Sequence, residues 1–198
     1  MTAIRSEIER VAGLLFALRA FDPLPRPSLA RSSMTYTDFE ADTRLNPLDL
    51  VERMAALNEW SFERSAEDEI TISVEGRWTD CHVSFQWMDE VEALHIACAF
   101  DLKVPEKRKN EVLRLLSLIN EQMWVGHFDL WSKEGVIMFR HALLLAGAEA
   151  TDRQCEVLME VAVEAVERYF PAFQFVVWAG KSAREAMDAT LFETIGEA

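Results

Sequence analysis

An α+β domain, an antiparallel sheet flanked by helices, is what this chain predicts, on three observations. Segments with every second residue apolar follow one another between Trp60 and Phe100 and recur between His127 and Leu144. Helical stripes, with apolar residues three and four apart, bracket those segments instead of alternating with them one by one. The chain is 198 residues long and 50% hydrophobic, enough for one domain with a core that needs no covalent staples.

Residues 1–45 read as an N-terminal amphipathic helix and a flexible linker, and residues 46–198 as the α+β domain. Ile4, Ile8, Val11, Leu15 and Leu18 form a stripe along one helical face. A signal peptide would want positive charge where Glu7 and Glu9 stand and an unbroken apolar run where Arg19 stands. Pro23, Pro25 and Pro27 then forbid helix, and the polar residues after them have no apolar period. Residues 1–33 hold five arginines and three acids, a net charge of +2 against −16 for the remainder. Met34, where the charge changes, is an alternative start. Removing residues 1–33 is expected to leave a folded, soluble body.

The domain opens with Asn46 as helix cap, Pro47 at the first helical position, and Leu50, Val51, Met54 and Leu57 on one face. Four strands follow, marked by Trp60 and Phe62; Ile70, Ile72 and Val74; Cys81, Val83, Phe85 and Trp87; and Leu94, Ile96, Cys98 and Phe100. The polar or Gly-bearing stretches SAEDE, EGR and MDEVE separate them at hairpin lengths, so the four form a meander. Pro105 and Glu106 open a second helix with Val112, Leu115, Leu116, Ile119 and Met123 on one side. A second hairpin turns through Ser132 to Gly135. Asp152 to Tyr169 is helical, and Pro171 is expected to interrupt it before the apolar PAFQFVVWAG, read as a separate short helix. Ser182 and Glu185 have capping-box spacing and open a last helix through Leu191.

A formal charge of −14 repels phosphate backbones and anionic lipid, so neither nucleic acid nor a membrane is expected as partner. No stretch approaches the roughly 18 apolar residues that span a bilayer. Cys81, Cys98 and Cys155 are odd in number and far apart, neither a disulfide set nor a metal pair; they read as buried thiols of a cytoplasmic protein. The chain has no GxSxG, Walker-type, GxGxxG or HExxH motif, and no cofactor is expected.

Two hypotheses concern the second hairpin. Cys81 and His82, being adjacent, point to opposite faces of a strand and cannot share a metal, nor can His95 and Cys98. His127, Asp129 and His141 remain as the set an alternative metal- or small-molecule-dependent enzyme would use. The favoured hypothesis is an interface: both faces of the hairpin carry apolar side chains, so it needs cover from its own helices and from something else. Trp131, Ile137 and Phe139 are the candidate interface residues, with Trp131 and Phe139 taken to share a face.

The segments LKVPEKRKNEVLRLLSLINEQMWVGHFDLWSKEGVIMFRHALLL, NPLDLVERM and RYFPAFQFVVWAGKSAREAM resemble the YbjN family of bacterial proteins, close to its alphaproteobacterial members. The likeness runs from Asn46 to the C-terminus and is most specific in INEQMWVGHFDLW and PAFQFVVWAGKSA. It implies a regulator of sensory transduction with a fold like that of type III secretion chaperones, a twisted antiparallel sheet flanked by helices. It brings no catalytic or ligand-binding residues. The expectation is thus a non-catalytic interaction or regulatory module, chaperone- or adaptor-like, homodimeric, binding a protein partner through apolar sheet and helix surface.

Overall fold

Asn46 begins the part of the computed structural model that is described here, residues 46–195 with the side chains of 46–190. The helix and linker expected in residues 1–45 lie outside the described residues. The Asn46 side chain accepts a hydrogen bond from the Leu48 N–H at 3.0 Å, and Pro47 has no N–H to satisfy, so helix α1 (Pro47–Leu57) starts with few orphan donors. Strands β1 (Ser61–Ala66), β2 (Glu69–Val74), β3 (Cys81–Met88) and β4 (Ala93–Lys103) follow as the expected meander. Helix α2 (Lys109–Asn120), entered through a 3-10 turn at Glu106–Arg108, carries the chain to β5 (His127–Trp131) and β6 (Val136–Leu144). Helices α3 (Asp152–Val177) and α4 (Ala183–Ile195) complete the fold.

The six strands form one antiparallel sheet in the order β1-β2-β3-β4-β6-β5. Alternation sends Ile70, Ile72, Val83, Phe85, Ile96, Cys98, Ile137 and Phe139 to one face, where they join the stripes of α1, α2 and α3 in a single core. At its centre Phe128 meets Phe139, Tyr169 and Phe173 edge-on, with ring centroids 5.3 to 5.9 Å apart.

Pro171 does not interrupt α3, contrary to the sequence expectation. A proline inside a helix costs about 3 kcal/mol, through the missing N–H and the clash with the preceding turn. Here Tyr169, Phe170, Ala172, Phe173 and Val176 are all buried around it, and only a continuous helix keeps both halves on the sheet. Burial of these side chains outweighs the local cost. The capping box at Ser182 is formed: the Ser182 N–H and hydroxyl donate to the Glu185 carboxylate at 2.9 and 2.6 Å, which also holds that carboxyl below its usual pKa.

Candidate functional site

The hairpin of β5 and β6 turns through four residues, closed by the Gly135 N–H donating to the Trp131 carbonyl at 2.7 Å, with Gly135 at φ +70°. This turn pairs Trp131 with Val136, Leu130 with Ile137, Phe128 with Phe139 and His127 with Arg140. Paired residues share a face, so the register corrects the sequence-based interface. Ile137 and Phe139 are 0% exposed in the core beneath the helices, whereas Trp131 is half-buried on the opposite, outer face beside Val136 and Met138. Trp131, Ile137 and Phe139 therefore do not form one surface.

The same register divides the proposed metal set. His127 and Asp129 lie on the outer face, and His141, one residue beyond Arg140, points to the helix side. What the outer face gathers instead is Asp129, Arg140 and His95. Arg140 forms an ion pair with Asp129 at 3.3 Å and donates from Nε to Nε2 of His95 at 3.4 Å. Burial, reinforced by the Arg140 cation and then by His127 and His141, pushes the His95 pKa down to about 4, so His95 is a neutral acceptor. Burial, and His127 after it, also lowers the pKa of His141. Among the described residues no three His, Cys, Asp or Glu are grouped to hold a metal. The cysteines are free and buried. A hydrogen bond with Cys81 and burial raise the Cys98 thiol well above its ordinary range, and burial raises Cys155 to about 11.

A surface that the periodicity missed lies between the open end of β6 and α3. Val125, Leu143, Val157, Leu158 and Val161, with His141, line a groove of about 280 Å³. Beside it Trp124 is 100% exposed, and Val125, Leu144 and Val157 are exposed as well. The backbone explains this placement. Helix α2 ends at Asn120, and the Asn120 amide donates to the Phe128 carbonyl at 2.9 Å and accepts from the Phe128 N–H at 2.8 Å. That side chain thus acts as a strand partner for the edge of β5. Among the described residues strand β6 has no such cover at its end: residues 141–144 extend past the last β5 pair, His127 with Arg140. Gly126, at φ +70°, passes so close to Phe139 that a Cβ there would meet the ring at 2.1 Å, and this tight passage leaves Trp124 outside. A sequence signal existed: Met123 continues the helical stripe after Ile119, but Trp124 and Val125 fit neither that stripe nor the following strand.

A family model described as "YbjN: Putative bacterial sensory transduction regulator" matches residues 47–175. A solved structure of E. coli YbjN, described as a putative transcription regulator, is similar at 13% identity and a TM-score of 0.46, over 63% of this chain and 90% of that one. No curated protein matches the chain.

Proposed function

The chain belongs to the YbjN family, and we propose on that premise that it is a non-catalytic regulatory protein that works through protein contact, beginning with a second copy of itself at the groove beside Trp124. One observation carries the reading: a fully exposed indole projects next to an apolar groove on the same patch. A two-fold interface uses one patch twice, so knob and hole must sit side by side on each copy. About 280 Å³ is room for an indole. The end of β6 that no described strand pairs beyond Arg140 supplies backbone groups that a second β6 can pair, which would continue the sheet across the two-fold axis. Trp is among the residues most enriched in binding hot spots.

The chain's charge of −14 supports protein over nucleic acid as the partner class. No described helix is long and apolar enough to cross a membrane. The test is the mass of the purified protein in solution beside that of Trp124→Ser. A dimer that the substitution dissociates, with an unchanged far-UV spectrum, supports the reading. A monomeric parent protein, or a dimer indifferent to Trp124, overturns it, the first result pointing to a client segment as occupant.

A further inference from the structure

A second groove lies where α1, α3 and the β1–β2 end of the sheet meet. Beyond the end of α1, Glu59 takes a left-handed conformation at φ 58°, and the Trp60 N–H closes the turn on the Ala55 carbonyl at 3.0 Å. The β1–β2 register pairs Ser61 with Ser73, which brings Trp60 opposite Val74. With Met54 of α1 and Met159 and Val163 of α3, these two side chains floor a groove of about 610 Å³. Glu156, Glu160 and Glu164 line it as well. Met54 and Met159 are buried, Trp60, Val74 and Val163 are half-buried, and the three glutamates are exposed at the rim. An ion pair between Arg53 and Asp152 ties α1 to the start of α3, and the Glu167 carboxylate accepts from the Arg77 N–H at 2.7 Å, tying α3 to the β2–β3 loop. The groove is therefore preformed.

The charge on its rim has one sign. Glu156, Glu160 and Glu164 succeed one another at four-residue spacing along α3, a row of like charges that opposes the helix. Arg153 pairs with Glu156 and Glu160 at 3.2 and 3.0 Å, whereas among the described residues no cation pairs with Glu164. No Lys or Arg is among the residues that line the groove. Solubility accounts for exposed glutamates, but not for Trp60, Val74 and Val163 left half-open beneath them.

We propose that this groove takes a basic amphipathic helix of a partner protein, its apolar stripe on the Met, Trp and Val floor and its Lys or Arg against the glutamate row. Charge complementarity selects that occupant. A second copy of this chain, at −14, would bring like charge to the rim, whereas a cationic helix brings the opposite charge. Glu156 to Glu164 covers roughly 12 Å along the axis of α3, so cations four residues apart on a helix laid beside it repeat at the same interval of about 6 Å. Met54 and Met159 adapt to apolar side chains of differing shape, and the Trp60 ring can receive a cation on its face. This is the helix-in-groove mode of recognition. The surface is distinct from the groove beside Trp124, which uses Val157, Leu158 and Val161 on another face of α3, so the proposal does not depend on the dimer.

The probe is a synthetic helix with a Leu stripe and flanking Lys at four-residue spacing, carrying a fluorophore whose anisotropy is read as full-length protein is added. Saturable binding of one peptide per chain is expected. Glu160→Lys/Glu164→Lys should weaken it at least about tenfold, with the far-UV spectrum unchanged. Glu121→Lys/Glu134→Lys makes the same change in net charge at exposed acids elsewhere and should leave the affinity as in the parent. Should the first variant fail to fold, Glu160→Gln/Glu164→Gln removes the charge more gently and should still weaken binding several-fold. A probe with Glu in place of Lys, or Ser in place of Leu, should not bind. No binding of the Leu and Lys probe, an equal loss in both charge-reversed variants, or binding that survives removal of the Leu stripe would overturn the proposal. Trp124→Ser should keep the parent affinity for the probe; a loss there would place the peptide in the other groove and would also overturn it.

Discussion

Phe139 and Gly126 are expected to be strongly coupled, because the glycine exists where the ring leaves no room for a side chain. Phe139 is 0% exposed and lies edge-on to Phe128 at 5.7 Å, so Phe139→Ala should cost about 3–5 kcal/mol in lost transfer energy and cavity. For a domain of this size that lowers Tm by roughly 10 °C. Gly126→Ala should cost about 1 kcal/mol for a side chain at φ +70°, plus about 1–3 kcal/mol because its Cβ would stand 2.1 and 2.4 Å from the Phe139 ring. In the double variant the ring clash is gone and the new methyl enters the void. Only the left-handed backbone and the contact to the Arg140 carbonyl at 3.0 Å remain. The double variant should thus be more stable than the sum of the single effects by about 1–3 kcal/mol. Urea unfolding followed by tryptophan fluorescence, with unchanged slopes, measures all four corners of the cycle. Additivity within about 0.5 kcal/mol, or a Phe139→Ala cost below about 1 kcal/mol, would refute the placement of this strand under α3.

Asn120→Ala removes both hydrogen bonds to the Phe128 backbone; it should cost about 1–3 kcal/mol and raise aggregation from the uncovered edge of β5, read by unfolding midpoints and light scattering. His95 titrates near 4 when folded and near 6.5 when unfolded, so the unfolded chain takes up the proton first as pH falls and stability declines between those values. His95→Gln should remove about 3 kcal/mol of that decline, and identical pH profiles for parent and variant would contradict the buried neutral imidazole. Native Cys81, Cys98 and Cys155 should resist a thiol reagent that labels all three in urea, since none is exposed and the thiols of Cys98 and Cys155 are raised.

Much of the fold was legible because period-two and helical stripes survive in single segments. The meander, the Asn46 and Ser182 caps and the second hairpin with its turn at Ser132–Gly135 all follow from local chemistry. Errors came where two segments had to be related. The two faces of each hairpin strand are legible from its own alternation, but joining the strands needs the register. The four-residue turn pairs 131 with 136 and hence 127 with 140, which puts His141 on the other face of the sheet from His127, and Phe139 on the other face from Trp131. Pro171 misled for the converse reason, since a local preference yielded to burial of Phe170, Phe173 and Val176 on a distant sheet. Trp124 stood out only as a side chain out of phase with both neighbouring elements.

The most direct test of the account is the solution mass of the full-length protein by light scattering or sedimentation, beside Trp124→Ser and, as a control, Trp178→Ser. Trp178 is also exposed, at 65%, but lies at the end of α3, away from the groove. A dimer is expected for the parent and the Trp178 variant, and a monomer for the Trp124 variant with stability within about 0.5 kcal/mol of the parent. A dimer that survives Trp124→Ser, or a parent protein that is monomeric throughout, would contradict it.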